Sequence, residues 1–321
     1  MVFERNYTGK FINTYQDQFL FPYVMYMIKG HKEVDSMKIG FIGAGKMGFT
    51  LGKHFSCCKN ESIHLSGYYS RNPESAKEAA RFTDTNYYDS ITDLVNDSDA
   101  IFITVPDGQI AVIVDELNRL NVCLEQKIIC HTSGALSSQV FSGMGSRVYG
   151  YSIHPIYAVN SKTESYINFK DSFITIEGHD RYLNDLVDIF VNLGHDVKII
   201  SADDKAKYHS AAVFSSNLVI GLYHMAVGLL EECGFGFDEA EKALKPLFKN
   251  NSNNLYNNDC LSALTGPVAR CDIDTIKKHL NVLKDDEKKV YMLLSKELIN
   301  IADGNNEYNY SLLKELIGRE I

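Results

Sequence analysis

The chain has little that would suit it to a polyanion, a lipid surface or an oxidising compartment. Its net charge is −9 at pH 7, with 32 Lys and Arg against 41 Asp and Glu, and no basic cluster interrupts that balance. An acidic surface repels phosphate backbones and anionic headgroups, so neither nucleic acid nor a membrane is expected as a partner. The seven cysteines are odd in number and scattered, with only Cys57 and Cys58 adjacent. No C-x-x-C occurs and no His/Cys spacing suits a metal, which points to a reducing cytoplasm and to no metal site. There is no internal repeat and no low-complexity linker. Residues 1–36 hold one apolar run, Phe19 to Ile28, broken by Pro22. That run is too short to span a bilayer, follows acidic and polar residues, and precedes no small-residue cleavage site. Residues 1–36 are therefore set aside as a leader of uncertain status, either an appended segment or an extension that packs its aromatics.

What the chain does have is 321 residues and 45% hydrophobic content, enough for two domains with sizeable cores. Its most informative stretch is residues 37–48. A short apolar run, Ile39 to Ile42, reads as a buried strand and leads into Gly43-Ala44-Gly45-Lys46-Met47-Gly48, a G-x-G-x-x-G. Phe49 to Cys58 then reads as a helix, and Ile63 to Tyr69 as a second strand. Gly43 permits the tight turn, Gly45 lets a pyrophosphate approach the backbone, and Gly48 lets the helix pack on the strand. The phosphates would sit on free N–H groups at a helix N-terminus. An NAD site usually carries a carboxylate at the end of the second strand; here Ser70-Arg71 stands there instead. A hydroxyl and a guanidinium suit a 2′-phosphate, so NADP is expected in preference to NAD.

Further along, strands are expected at Ala100–Val105, Lys127–Cys130, Val148–Ile153, Phe173–Ile176 and Val197–Ile200. Helices open at Asn72-Pro73, after Ser90, near Asp107 and at Asp180, the last stopped by Gly194. Strands alternating with helices specify a doubly wound parallel sheet of Rossmann type over residues 37–200. From residue 201 the pattern becomes all-helical to residue 321. Asp203 to Cys233 reads as one long helix, apolar nearly all round between Ala211 and Leu230, which must be covered on several sides. Helices Asp238–Lys249, Asp272–Leu283 and Asp286–Ala302 follow, with Asn250–Asn258 as an Asn-rich loop. A homodimer through this helical domain is expected.

Ligands of doubly wound sheets bind outside the carboxyl ends of the strands. Those ends carry Val105-Pro106-Asp107, His131-Thr132-Ser133-Gly134, Ser152-Ile153-His154-Pro155 and Asp203-Asp204-Lys205. His154 can pass the proton that accompanies hydride transfer, because imidazole titrates near neutrality. Val105, Pro106, His131, Thr132 and Ser133 are expected along the cofactor, and Asp107 as an N-cap. Lys205 and His209, four apart, share a helix face, with Asn217 two turns on; all three are candidates for catalysis. Thr265-Gly266-Pro267-Val268-Ala269-Arg270-Cys271-Asp272 forms a turn in which Thr265 and Arg270 could bind substrate, or Arg270 could pair with Asp272.

Gly43–Gly48, His131–Leu136, Ser152–Pro155, Lys205–Asn217 and Thr265–Asp272 together resemble the Rossmann-fold oxidoreductases that carry a C-terminal domain of unknown function. These are relatives of pyrroline-5-carboxylate reductase, prephenate dehydrogenase and the 3-hydroxyacid dehydrogenases. The resemblance spans residues 37 to about 300. His154-Pro155 resembles the His-Pro of prephenate dehydrogenases, where that histidine acts near the substrate hydroxyl. Lys205 with Asn217 is only loosely similar to the Lys and Asn of 3-hydroxyacid dehydrogenases, which lie one turn apart; here His209 takes that position. The resemblance implies an NADP-dependent oxidoreductase acting at a C–O or C–N carbon of a small molecule. The other function class open to this sequence is a non-catalytic dinucleotide-binding redox sensor or scaffold.

Overall fold

The computed structural model describes residues 36–57, 62–120, 122–304 and 308–318. The expectation for a leader over residues 1–36 therefore falls almost wholly outside them. The chain divides into two compact units, one running to Val213 and one from Phe214 onward.

The first unit is an eight-stranded sheet with helices on both faces. Its elements are β1 (Met37–Ile42), α1 (Lys46–Cys57), β2 (Ile63–Tyr69), α2 (Pro73–Thr83), β3 (Asn86–Tyr87), α3 (Ile91–Asn96), β4 (Ala100–Ile103), α4 (Asp107–Arg119), β5 (Lys127–His131), β6 (Val148–Ile156), β7 (Phe173–Gly178), α5 (Leu183–Asn192), β8 (Asp196–Ile199) and α6 (Lys205–Phe214). The spatial order is β3-β2-β1-β4-β5-β6-β7-β8. The strand order reverses between β1 and β4, and there a doubly wound sheet opens its ligand crevice. Sequence alternation builds both faces of the core. Ala100 and Phe102 of β4 point with Phe41, Phe49, Phe55 and Tyr68 to one side, while Ile101 and Ile103 point with Ile42, Leu94, Ile110 and Leu117 to the other. A strand covered on both faces has no polar side, which is why β4 reads as an unbroken apolar run.

Helix starts follow local chemistry. Asn72 accepts a bond from the Glu74 N–H (3.1 Å) ahead of Pro73, and Ser90 accepts one from the Thr92 N–H (3.1 Å). Asp107 departs from expectation. Pro106 occupies the cap position, Asp107 is the first residue of α4, and its carboxylate takes the Ser133 hydroxyl at 2.7 Å.

The sheet is not wholly parallel. β7 runs antiparallel to β6, and β8 runs parallel to β7, so the last two strands oppose the first six. β8 is short and in register: Ile199 lies opposite Ile176, which lies opposite Ile153. The chain therefore leaves β8 level with the carboxyl end of β5, whose His131 pairs with Ser152.

The second unit contains α7 (Asn217–Glu232), α8 (Phe237–Asn257), α9 (Cys260–Ala263), α10 (Ile273–Val282), α11 (Asp285–Asp303) and α12 (Ser311–Gly318). Ile276, Leu280, Met292, Ile299, Tyr310, Leu313 and Ile317 form its core. Three expectations are corrected here. The expected helix from Asp203 to Cys233 breaks at Ser215-Ser216, where Ser216 has φ −130° and ψ −84°. Its apolar second half is not fully covered among the described residues: Val227 is buried, but Leu218, Ile220 and Leu222 are exposed. The Asn-rich stretch is helical to Asn257, and side-chain amides hold it, with Asn257 Nδ2 donating to Asn253 O at 2.7 Å and Asn254 Nδ2 to Ala263 O at 3.3 Å.

Candidate active site

Each glycine of the turn after β1 has a measurable reason. Gly43 adopts φ +112°, and a Cβ there would stand 2.9 Å from the Thr104 carbonyl. A Cβ on Gly48 would stand 2.5 Å from Gly43 O and 2.8 Å from Thr104 Oγ1, so only glycine lets α1 sit this close to β1. Gly45 is exposed, with nothing within 3.8 Å of its would-be Cβ and only Thr104 O at 3.9 Å. It is the open place against which a pyrophosphate can rest. Thr104 Oγ1 donates to Gly43 O (2.8 Å) and fixes the turn. Phe49 N–H makes the first helical bond, to Gly45 O, so the amides before it are unused by the helix.

A cleft of about 170 Å³ opens on this turn. Gly43, Ala44 and Gly45 line it together with Ser70, Arg71 and Ser75 beyond β2 and Thr104, Val105 and Pro106 beyond β4. The residues fit the phosphate-bearing part of a dinucleotide: a glycine cradle, a helix N-terminus and a cleft at the switch point. Ser75, one turn into α2, was not singled out from the sequence. Lys46 is exposed and Met47 half-buried at the start of α1.

The loop after β5 is held by its own polar residues. His131 is wholly buried, with Nδ1 accepting the Ser133 N–H (3.2 Å) and Nε2 against Ser137 O (3.2 Å). An N–H on one side and a carbonyl on the other leave the neutral Nε2–H tautomer as the form that satisfies both. Burial first, and the Lys205 charge with it, hold the ring at about 4. His131 thus staples the loop that would cradle the cofactor. Ser133 Oγ accepts the N–H groups of Ala135 (3.2 Å) and Leu136 (3.0 Å) while donating to Asp107. Thr132 is half-buried beside it.

At Gly134 the structure brings distant residues together. His154, on β6, presents Nδ1 to Tyr208 Oη at 2.7 Å. Its ring centroid lies 5.8 Å from that of His209. Lys205, 2% exposed, donates to Ser133 O (3.0 Å) and Ser152 Oγ (2.7 Å). A Cβ on Gly134 would stand 2.8 Å from His154 Nε2 and would overlap His209 Nδ1. His209 Nδ1 is buried and has no hydrogen-bond partner among the described residues. Burial, then Lys205, His209 and His131, push His154 down to about 3, and burial brings Lys205 down to about 8 although Glu177 and Asp107 pull it upward. His154 is therefore neutral at pH 7.

His154, Lys205, His209, His131 and Ser133 converge although β8 runs opposite to β1–β6 and not parallel to them as expected. The short register of β8 delivers α6 to the same edge. Asn217 does not continue the face of Lys205 and His209, because the helix breaks before it; it is exposed in the second unit and accepts from Ser216 Oγ at 3.1 Å. Thr265 and Arg270 are also in the second unit and exposed. Asp272 caps α10 through Thr275 N (3.1 Å) and Oγ1 (2.8 Å), so the alternative Arg270–Asp272 ion pair does not form. Gly134 and Ser152 stood in the marked strand ends without a role of their own, whereas Tyr208 and Glu177, which lie close to the cluster, were not picked out from the sequence. Tyr208 follows Lys205 by one turn, the only sequence signal it offered.

Comparison with known proteins agrees with this architecture. Residues 28–155 match the model of a Rossmann-like domain, and residues 172–298 match that of a domain of unknown function, DUF2520. No curated protein matches the chain. Among solved structures, a protein of Bacteroides fragilis described as a candidate NADP oxidoreductase superposes with a TM-score of 0.63 at 23% identity, over 84% of this chain and 100% of its own. A Plasmodium falciparum pyrroline carboxylate reductase with NADP bound gives 0.51 at 14% identity, over 84% and 99%. A reductive aminase of Aspergillus terreus in complex with NADPH gives 0.52 at 15%, over 88% and 93%. At such identities the likeness is one of fold. The chain joins a Rossmann-like domain to the C-terminal domain of unknown function DUF2520.

Proposed function

We propose that the chain is an NADP-dependent oxidoreductase that moves hydride to or from a carbon bearing oxygen or nitrogen in a small molecule. The observation that carries this reading is the meeting of His154, Lys205, Tyr208 and His209 around Gly134, along the sheet edge from the glycine turn. A sensor or scaffold needs the nucleotide groove alone and has no use for a buried lysine and two imidazoles beside it. When bound, the nicotinamide supplies the hydride or accepts it. Gly43–Gly48 would hold the pyrophosphate, Ser70, Arg71 and Ser75 the adenosine ribose and its 2′-phosphate, and Val105, Pro106, His131, Thr132 and Ser133 the part between. Arg71 is exposed and makes no ion pair among the described residues, which leaves its guanidinium for a phosphate.

The chain's own residues manage the proton. Tyr208 fixes the His154 ring through Nδ1 and leaves Nε2 as the working nitrogen. At about 3, far below the neutral range expected of an imidazole, the ring holds a proton too weakly to act as a base alone at pH 7. It relays one only as that proton passes to or from Lys205, whose value of about 8 lies near neutrality. Lys205 keeps its charge below about 8 and polarises the reacting group. Arg270 and Thr265, both exposed in the second unit, are the residues proposed to bind substrate, Arg270 at an anionic group. A second copy of this chain would cover the apolar face of α7. The described cysteines are all free, in keeping with a cytoplasmic protein. The test is calorimetry with NADPH and NADH, followed by NADPH oxidation against carbonyl and imine panels with His154→Ala as control. Tight NADPH binding with turnover that His154→Ala removes supports the reading; nucleotide binding with no turnover supports the sensor.

A further inference from the structure

We infer that the group on which this site acts is carbon–oxygen, an alcohol or its ketone or aldehyde, and not an amine or imine, because the cluster around Gly134 offers a cation and open imidazole nitrogens while the nearby carboxylates, Asp107 and Glu177, are held by serines. The inference rests on the oxidoreductase reading above.

The geometry is specific. Lys205 gives two of its three ammonium hydrogens to Ser133 O and Ser152 Oγ, and the third has no acceptor among the described residues. Among the described residues His209 Nδ1 is buried without a partner. Such an atom has lost its water and gained nothing, an arrangement that a ligand atom completes. His154 Nε2 and His209 Nδ1 both close on the one point where Gly134 has a hydrogen in place of a side chain. The nearby carboxylates are turned elsewhere. Glu177, 5% exposed, accepts Ser138 N (2.7 Å) and Ser138 Oγ (2.6 Å), one on each oxygen. Asp107 takes the Ser133 hydroxyl. Among the described residues no carboxylate comes within 4.0 Å of Lys205, His154 or His209.

The two substrate classes make opposite demands on such a site. A carbonyl carbon that gains hydride leaves its oxygen with the π electron pair and a full negative charge. Donors and a fixed cation stabilise that charge as it forms. The oxygen then takes one proton, from Lys205 directly or across an imidazole, and the lysine is re-protonated from solvent; C=O becomes CH–OH as the dihydronicotinamide becomes the oxidised ring. An imine is reduced as its iminium, a cation, and its product amine is a cation again at neutral pH. Beside the Lys205 ammonium either form is repelled, by roughly fivefold in affinity if the charges are fully screened by water and up to about a thousandfold for unit charges about 4 Å apart near a protein surface.

The test uses the full chain with NADP⁺ bound and two probes of one skeleton, cyclopentanol and cyclopentylammonium. Saturation-transfer NMR measures their binding, and ¹⁵N-histidine labelling follows the His209 ring. The expected result is at least tenfold tighter binding of the alcohol, with a shift of the His209 Nδ1 resonance that disappears in His209→Phe. In parallel, cyclopentanone should be reduced and 2-methyl-1-pyrroline should not. Equal or tighter binding of the ammonium, failure of both probes to bind, or faster consumption of the imine overturns the inference and leaves the oxidoreductase reading standing. Failure of NADPH itself to bind in calorimetry removes that reading, and the inference with it.

Discussion

His154 is set by three neighbours that come from three places in the chain: Tyr208 on one nitrogen, Gly134 against the other, and the Thr175 hydroxyl on its own carbonyl at 3.2 Å. If this ring carries the proton, His154→Ala lowers kcat by about 10²- to 10⁴-fold, the usual contribution of a positioned acid–base. The Kd for NADPH should stay unchanged, because the ring is not on the glycine turn. Stopped-flow kinetics with parallel calorimetry separates the two. Lys205 gives the sign of the pH profile. Its ammonium form is the one that stabilises a developing oxyanion, so the reductive rate is level below about 8 and falls as pH rises through it. Lys205→Met should lower the rate and erase that limb; a limb that persists in the variant belongs to another group. Arg71→Ala should weaken NADPH by about 1.5–3 kcal/mol, the scale of a charged hydrogen bond, and leave NADH nearly unchanged. Equal effects on both nucleotides would contradict the 2′-phosphate assignment.

At the scale of elements, the glycine turn offers the sharpest substitution. Gly48→Ala drives a methyl group into the Gly43 carbonyl and Thr104, both fixed by the β1–β4 pairing. Overpacking of this kind costs about 1–3 kcal/mol; a lowered melting temperature together with lost NADPH binding is expected, whereas Gly45→Ala should keep its stability and lose affinity. This turn was legible in the sequence because strand, turn and helix are contiguous there, and each glycine answers a local steric demand. The strands of the sheet were legible for a similar reason: a run such as Ala100–Ile103, buried on both faces, has one periodicity and no rival. The direction of β7 and β8 was not, since pairing direction depends on the path of the connecting loop and leaves no mark on the strand itself. The break at Ser215-Ser216 was hidden by residues that tolerate a helix, and the helix through Asn250–Asn257 was hidden by residues that disfavour one until their amides find carbonyls within reach. Tyr208 was hidden in another way. Its meeting with His154 joins two elements 54 residues apart, a coincidence of fold that no spacing encodes.

At the scale of the whole molecule, the buried histidines make acid the weak point. His54 and His195 face each other nitrogen to nitrogen at 2.9 Å in the core, and burial lowers both, His54 to about 4. His131 and His154 are lowered as well. Unfolded, each would titrate near 6.5, so between that pH and about 4 the unfolded chain binds more protons than the folded one. Stability is complete above about 6.5 and is lost as pH falls toward 4, by several kcal/mol in total for shifts of this size. Urea unfolding at pH 7.5 and 4.5 should show the loss, and the pair His54→Gln with His195→Gln should flatten part of it. The second unit makes a prediction of assembly. Ile220 is 69% exposed on an otherwise apolar helix, and a homodimer burying about 1,600 Å² or more would cover that face. Light scattering that finds only monomer at micromolar concentration would count against it. The central claim is that one edge of the sheet holds both the nucleotide and the acid–base group, and a crystal structure of the NADP⁺ complex tests it most directly. The account predicts the pyrophosphate on Gly43–Gly48 and the nicotinamide beside Gly134, with His154 Nε2 in hydrogen-bond or one-water reach of a substrate at its reactive carbon; a nicotinamide directed away from Gly134, with His154 beyond any such relay, would contradict it.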